Sequence, residues 1–237
     1  MTPAYTPAGD GYLHQAPDLH IANRLLLPQI ARILAGHPGV RDDPRIFEIG
    51  FGTGISADWL QHRGYDITAV DPSASGLALA REHFAHLRLH PGSGYDDLAG
   101  HYGHFPCVLS MEVIEHLYDP RRFAARAFDL LAPGGLLILT TPYHGYWKNL
   151  ALALTGRMDA HFTALWDHGH IKFWSATTLR QLLGEAGFRD ICIHRVGRIP
   201  ALARSMIAVA RRPFAPPETR RASHGQGHQD ADATAPQ

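Results

Sequence analysis

A glycine-rich turn with an acidic residue in front of it is the first binding feature in this chain. Gly50, Gly52 and Gly54 fall within five positions, directly after the apolar run of residues 45–49 that carries Glu48. Glycines let the backbone approach a ligand closely, as in the dinucleotide fingerprint GxGxxG. The spacing here is GxGxG, so the third glycine of that fingerprint is missing, and a carboxylate at Glu48 repels a pyrophosphate. The pattern therefore favours a ligand that carries an ammonium.

A second carboxylate follows at Asp71, which ends the apolar segment YDITAVD 17 residues past Gly54. Ligands of open α/β sheets bind at the carboxyl ends of the strands, so we expect Asp71 to lie beside the glycine turn. There it can accept hydrogen bonds from both hydroxyls of a ribose. A nucleoside joined to an amino acid satisfies both carboxylates, which indicates S-adenosylmethionine as the cofactor. Pro72, directly after Asp71, is included in the predicted cofactor site.

The segment MEVIEHL carries side chains suited to a reaction centre. Glu112, Glu115 and His116 stand at i, i+3 and i+4, so a helical turn would place them on one face toward the cleft. Methyl transfer to oxygen is helped by a base that takes the hydroxyl proton, and His116 beside Glu115 is the simplest candidate. The three side chains can also bind a divalent metal, which is possible but not expected, or can only shape the floor of the pocket.

An aromatic and histidine-rich segment, residues 143–174, interrupts an otherwise regular sequence pattern. Such a departure from the scaffold is typical of a lid or an acceptor pocket. The predicted acceptor pocket consists of Trp147, Trp166, His168, His170 and Lys172. His168, His170 or Asp167 could also complete a metal site, and His170 and Lys172 suit an acidic or phenolic acceptor. Packing of a small helical cap is the alternative for the aromatic residues.

The elements that position these residues alternate between strands and helices. We predict strands in RIFEIG, YDITAVD, HLRLHPG, FPCVLSME, LLILTTP, RDICIHRVGR and ALARSMIAVARRP. We predict helices in residues 19–34 with a break or a new first turn at Pro28, in GISADWLQHRG, in SASGLALAREHF capped by Ser73, in PRRFAARAFDLLA, and in SATTLRQLLGEAGF capped by Ser175. This order predicts an α/β fold: a mostly parallel sheet with helices on both faces, an antiparallel last strand, and a small insertion after the fifth strand.

Length and composition predict one domain. Of the 237 residues, 1–18 are expected to form a flexible lead-in, 19–212 the domain and 213–237 a disordered tail. Basic and acidic residues balance at 22 each, which gives no electrostatic reason to expect nucleic acid. No apolar run reaches the ~18 residues of a membrane span. Cys107 and Cys192 are interpreted as a reduced, buried pair, and the predicted location is the cytoplasm.

Four segments in this order, FEIGFGTG, AVDPS, VLSMEVIEHLYDP and LLAPGGLLILTTP, resemble the class I S-adenosylmethionine-dependent methyltransferases, which implies a Rossmann-like sheet. The similarity runs from about residue 45 to 210. Within that class, MEVIEHLYDP and DHGHIKFWS are most similar to the branch that contains the ubiquinone-biosynthesis O-methyltransferases. The resembled quinone O-methyltransferases are metal-assisted.

The resemblance adds residues to the predicted cofactor site. It implies that the loop PGSGYDD lies near the adenine, with Ser93, Tyr95 or Asp96 in reach of it. Ser110 and Met111, at the end of the fourth strand, are expected near the methionine part, with core packing as the alternative for Met111.

The leading functional hypothesis is O-methylation of a small phenolic or quinol-like acceptor by a monomer or homodimer. An N- or C-methyltransferase of the same fold would have the same cofactor site. A non-catalytic cofactor-binding module is disfavoured by the complete set of glycines and acids. A dehydrogenase is disfavoured by the missing third glycine.

Overall fold

The computed structural model of the protein describes residues 21–214, with side chains from residue 23 onward. The predicted lead-in at 1–18 and residues 215–237 of the predicted tail lie outside this range. Among the described residues, no helix is both long and apolar enough to cross a bilayer.

A seven-stranded sheet forms the centre of the described chain. Its strands are β1 (Arg45–Ile49), β2 (Asp66–Asp71), β3 (Arg88–Pro91), β4 (Phe105–Met111), β5 (Leu131–Pro142), β6 (Arg189–Val196) and β7 (Ser205–Arg211). Their spatial order is β3-β2-β1-β4-β5-β7-β6. The pairs from β3 to β5 are parallel, and β7 runs antiparallel to both of its neighbours. The predicted fold class is confirmed, including the antiparallel last strand.

Nine α-helices surround the sheet within the described range. They are α1 (Ile21–Gly36), α2 (Pro38–Asp42), α3 (Ile55–Gln61), α4 (Ala74–His83), α5 (Leu98–Tyr102), α6 (Pro120–Leu130), α7 (Tyr146–Leu154), α8 (Met158–Phe162) and α9 (Ala176–Glu185). Both predicted caps are present. The Ser73 hydroxyl accepts a hydrogen bond from the Gly76 N–H, and the Ser175 hydroxyl accepts one from the Thr178 N–H.

The helices cover both faces of the sheet, as the alternating pattern predicts. Successive side chains of a strand point to opposite faces. Along β1, Ile46 belongs to the apolar cluster that includes residues of α1, α3 and α4, whereas Phe47 and Ile49 belong to the cluster that includes residues of α6 and α9. The carboxyl ends of the parallel strands therefore meet at one edge between two packed layers.

Two predictions about individual residues were wrong. Pro28 neither breaks the first helix nor begins a new one, because α1 continues through it from Ile21 to Gly36. Its ring lies on the exposed side of α1, where the carbonyl that it leaves without a donor can meet water. Cys107 is buried as predicted, but Cys192 is exposed because β6 is the edge strand of the sheet.

After β5 the alternation gives way to the inserted segment, residues 143–174, which holds α7 and α8. Neither helix contains a buried residue. The segment follows the carboxyl end of β5, which places it at the same edge of the sheet as the glycine turn.

Candidate cofactor and acceptor site

The glycine turn adopts a backbone that only glycine forms without strain. Gly50, Gly52 and Gly54 have φ angles of 83°, 56° and 83°. A Cβ at Gly50 would lie 2.4 Å from Cγ2 of Val113, and one at Gly54 would lie 3.1 Å from Cβ of Ala80. No side chain therefore fits at Gly50 or Gly54 without displacing a neighbour, while the half-buried Gly50 and Gly52 keep part of their backbone accessible to a ligand.

Asp71 lies beside this turn, as the end of its strand predicts. Its Oδ2 accepts a hydrogen bond of 2.8 Å from the Gly52 N–H, and its Oδ1 accepts one of 2.8 Å from the Ser73 N–H. Burial raises the pKa of Asp71, and these two hydrogen bonds oppose the rise. Pro72 lies between Asp71 and Ser73 in the chain and is half-buried. A carboxylate oxygen has two lone pairs, so each oxygen of Asp71 can accept one more hydrogen bond, for example from a hydroxyl.

Glu48 lies on the floor beneath the turn, with 0% of its surface exposed. Its Oε1 accepts a hydrogen bond of 2.5 Å from the Ser56 hydroxyl, which ties β1 to α3. Burial raises the pKa of Glu48 to about 7. Its Oε2 is buried and has no hydrogen-bond partner among the described residues. An ammonium at this oxygen would offset the cost of burying the charge.

The loop after β3 separates the three adenine candidates. The Ser93 N–H donates to Oδ2 of Asp96 over 2.7 Å, so these two residues form one polar turn. Tyr95 is buried in the core, and its hydroxyl accepts a hydrogen bond from the Asp119 N–H. Tyr95 is therefore a packing residue, which leaves Ser93 and Asp96 as the candidates in this loop.

The end of β4 is packed more tightly than the predicted cofactor contacts suggest. Ser110 is buried and its hydroxyl donates to the Ile49 carbonyl over 2.9 Å. Met111 is buried in the same apolar cluster as Phe51. Both side chains thus hold β4 against its surroundings, and any contact of Ser110 with a ligand falls to its backbone.

The acid–histidine segment is helical over only part of its length, so the condition for a shared face holds for Glu115 and His116 but not for Glu112. A short 3-10 turn begins at Ile114, and Glu112 precedes it with a φ of 54°. Both carboxylates are nevertheless held at the end of β5, since Oε1 of Glu112 accepts from the Thr140 hydroxyl and Oε2 of Glu115 accepts from the Thr141 hydroxyl. Non-glycine residues rarely adopt a positive φ, and those that do are concentrated at functional sites.

Burial holds protons on this pair of acids. The pKa of Glu112 is raised to about 7 by burial, against the Thr140 hydrogen bond and the charges of Arg204 and Lys148. The pKa of Glu115 is raised well above its ordinary value, by burial and by the neighbouring Glu112. The pair can therefore keep a proton near neutral pH.

His116 is fixed in one orientation by backbone carbonyls. Its Nδ1 lies 3.1 Å from the His168 carbonyl and 3.2 Å from the Gly169 carbonyl. A carbonyl only accepts, so Nδ1 carries the proton and the lone pair of the neutral ring lies on Nε2. Burial lowers the pKa of His116, which favours this neutral form. The arrangement can accept a proton at Nε2.

The inserted segment is attached to the 3-10 turn at its last residues. The N–H groups of Ile171 and Lys172 both donate to the Glu115 carbonyl over 2.9 Å, and Nε1 of Trp174 donates to the Ile114 carbonyl. The structure thus brings the predicted acceptor residues 166–172 to His116.

The predicted acceptor residues differ in what they contribute. The ring of Trp166 meets that of His116 edge-on at 6.2 Å, and the ring of His170 does so at 4.9 Å. His168 contributes its carbonyl, while its side chain is exposed. Trp147 is 63% exposed on α7, and its ring meets that of Tyr146.

Several residues of this site were missed from the sequence. His144 is buried, and its ring lies 5.3 Å from that of His161. Lys148 and Arg204 lie close enough to Glu112 for their positive charges to lower its pKa. Burial and neighbouring cations lower the pKa of His144 to about 4, and burial with two neighbouring histidines does the same for His170. The position of His144 two residues past Pro142, the end of β5, was the signal that could have identified it.

Three of these side chains have the arrangement of metal ligands. One ligand atom each of Glu115, His116 and His170 lies within 4.8 Å of the other two. Oε1 of Glu115 has no hydrogen-bond partner among the described residues. This set replaces Glu112 of the predicted set by His170, because Glu112 turns toward Thr140.

Several known proteins resemble this chain in sequence. A family model described as "Methyltransferase domain" matches residues 13–193. A ubiquinone biosynthesis O-methyltransferase of Caulobacter sp. (strain K31) is 37% identical over 147 residues, which cover 59% of this chain and 57% of that protein. One of Dinoroseobacter shibae is 30% identical over 188 residues, which cover 73% and 74%. The match to the Caulobacter protein thus spans less than three fifths of its length.

Solved structures share the fold at low sequence identity. An S-adenosylmethionine-dependent methyltransferase of Thermotoga maritima, described as a possible histamine N-methyltransferase, has a TM-score of 0.59 at 20% identity and covers 82% of this chain and 92% of its own. Haemonchus contortus phosphoethanolamine N-methyltransferase 2 in complex with S-adenosyl-L-methionine has a TM-score of 0.52 at 16% identity and covers 71% and 48%.

Proposed function

Because the chain belongs to the S-adenosylmethionine-dependent methyltransferases, we propose that it methylates the oxygen of a small phenolic or quinol-like acceptor. The observation that carries this proposal is the fixed imidazole of His116, which presents a proton acceptor beside the cofactor side of the sheet. The names of the relatives support oxygen as the acceptor atom. A cytoplasmic monomer or homodimer is part of the same proposal.

The residues at the ends of β1 and β2 fit the cofactor. The positive-φ glycines leave an open backbone surface, Asp71 has lone pairs for ribose hydroxyls, and the buried Oε2 of Glu48 suits an ammonium. Ser93, Asp96 and the backbone near Met111 complete the proposed set. When bound, S-adenosylmethionine supplies a methyl carbon on a positively charged sulfur, which an acceptor oxygen can attack.

His116 is the proposed base. Its Nδ1–H is held by two carbonyls, so Nε2 takes the proton from the acceptor hydroxyl. Glu115 is the proposed positioning residue, because its carbonyl anchors Ile171 and Lys172 and so keeps the carbonyls of residues 168 and 169 in place. The proposed acceptor pocket is formed by Trp166, His170 and Lys172 with Trp147 at its rim, and His168 takes part through its backbone.

A resident divalent metal is not part of the proposal. Glu115, His116 and His170 could hold one, but His116 would then be a ligand and not a base. EDTA separates the two mechanisms. We expect turnover to survive EDTA. Loss of turnover in EDTA, with recovery when Mg²⁺ or Zn²⁺ is added, would show that a bound metal acts in place of the histidine base.

The test begins with ligand binding. S-adenosylhomocysteine should raise the melting temperature by mass action, and NAD should leave it unchanged. Transfer of tritium from methyl-labelled cofactor should then be measured on matched phenols, catechols, anilines and thiols. Labelling of the phenols or catechols supports the proposal. Labelling of the anilines alone would indicate an N-methyltransferase, and S-adenosylhomocysteine binding without labelling of any acceptor would favour a non-catalytic module.

A further inference from the structure

We propose that Asp58, His62 and His86 form a binding site for a divalent transition metal such as Zn²⁺, separate from the site that contains His116. Oδ1 of Asp58 lies 3.0 Å from Nε2 of His86 and 3.3 Å from Nδ1 of His62. One ligand atom of each residue lies within 4.8 Å of the other two. Ligands of tetrahedral zinc at bond lengths of about 2.1 Å are separated by about 3.4 Å, close to these distances.

Two different elements supply the three ligands. Asp58 lies on α3 and His62 caps the end of that helix four residues later with a helical backbone, so their side chains lie on the same side. His86 comes from the turn between α4 and β3. The rings of His62 and His86 are nearly perpendicular, with centroids 5.8 Å apart, so they converge on the carboxylate and do not stack on each other.

The donor types select among metals. Two imidazoles and one carboxylate suit Zn²⁺, Ni²⁺ and Cu²⁺, whereas Mg²⁺ and Ca²⁺ prefer oxygen ligands. Both histidines are exposed and Asp58 is half-buried, so a metal can enter from solvent and keep water at its open position. The alternative is a pair of ordinary contacts: Nδ1 of His62 also lies 2.9 Å from the Asp58 carbonyl, a contact in which Nδ1 carries a proton that a metal would have to displace.

A metal here would join two elements that enclose the glycine turn. The helix α3 begins directly after Gly54, and Ala80 of α4 and Phe84, which caps the end of α4, lie against Gly54. Linking α3 to the turn that follows α4 would hold these elements together from the outer side. Binding only to the folded state would raise the melting temperature.

The experiment titrates the full chain with Zn²⁺ alone by isothermal calorimetry, in a buffer that does not bind metals. His62→Gln and His86→Gln are compared with the native protein and with His194→Gln. The control residue His194 is an exposed histidine of β6, at the opposite edge of the sheet from β3. All three substitutions are on exposed side chains, so the melting temperature without metal should not change.

We expect the native protein and His194→Gln to bind one more equivalent of Zn²⁺ than the two ligand variants, or to bind it at least about tenfold more tightly. Zinc should also raise the melting temperature of the first pair by more than that of the second. Identical titrations of all four proteins would overturn the proposal. No step measures methyl transfer, so the result is independent of the proposed function.

Discussion

The two sides of the proposed site are built in opposite ways. On the cofactor side, Glu48 and Asp71 are buried and hydrogen-bonded to the chain segments that they join. On the acceptor side, α7 and α8 bury none of their residues, and Leu165 between them and α9 is 98% exposed. A rigid scaffold that carries a loosely packed binding segment lets one cofactor chemistry serve different acceptors.

The two sides meet at the 3-10 turn that contains His116. The carbonyls of residues 114 and 115 accept hydrogen bonds from the end of the inserted segment, and Nδ1 of His116 donates to the same segment. The proposed base is therefore oriented by the acceptor side although it is carried by the cofactor side. Substitutions on the two sides should have separable effects on chemistry, stability and binding.

The largest effect is expected at the junction. His116→Ala should lower turnover on the best phenolic acceptor by ~10²–10⁴, the contribution of a positioned base, with S-adenosylhomocysteine affinity nearly unchanged. Burial lowers the pKa of His116 below its ordinary value of 6.5, and the neutral ring is the active form. Native turnover should therefore rise with pH and level off by about pH 7, as measured by initial rates.

His168→Asn is the matched control for this prediction. It keeps the carbonyl that accepts from His116, and asparagine tolerates the φ of 59° at this position. Its turnover should stay near that of the native enzyme. Near-native turnover of His116→Ala would exclude His116 as the base. A parallel loss of cofactor affinity and stability would instead assign His116 a structural role.

The next effect compares a glycine from each side. Gly50→Ala combines positive-φ strain with a Cβ 2.4 Å from Val113, so the free energy of unfolding should fall by about 2–5 kcal/mol. Gly156→Ala, in the inserted segment, has the strain of a φ of 64° but no heavy atom within 4 Å of its Cβ, and should lose about 1–2 kcal/mol. Urea unfolding measures both. Equal losses would contradict the difference in packing.

A smaller effect is expected on cofactor binding. Asp71→Ala should weaken S-adenosylhomocysteine binding at least about tenfold, because the hydrogen bonds to the ribose are lost. Since the carboxylate also accepts from Gly52 and Ser73, the variant should fold with a lower melting temperature. Asp66→Ala, at the other end of β2 and paired with Arg88 on the surface, is the control. Unchanged affinity by calorimetry would exclude Asp71 from the site.

The sequence was sufficient for the scaffold because its signals are local. Apolar segments, capping serines and the glycines of the turn are each recognised from residues near them in the chain. Because parallel strands bring their carboxyl ends together, the sequence also predicted that Glu48 and Asp71 lie at the same edge of the sheet. Pro28 and Cys192 were misassigned because their outcome depends on which side faces solvent.

The acceptor side was harder to predict from the sequence, because its signals are not local. Its contacts join residues that are far apart in the chain, such as Arg204 facing Glu112 and the carbonyl of residue 168 on His116. The positive φ of Glu112 broke the helical spacing from which its position was inferred. Aromatic content located the segment, but no periodicity indicated which rings face the site.

The smallest effect on stability is expected at Trp147. The side chain is exposed on α7, so Trp147→Ala should change the free energy of unfolding by less than about 0.5 kcal/mol. If the inserted segment binds the acceptor, KM for the acceptor should rise while S-adenosylhomocysteine affinity stays constant, and Trp147→Phe, which keeps an aromatic ring, should restore most of the loss. A stability loss above about 1 kcal/mol would show that α7 packs against the protein in solution. An unchanged KM would place the acceptor nearer Trp166 and His170, at the anchored end of the segment, and so confine the pocket to the residues that already touch His116.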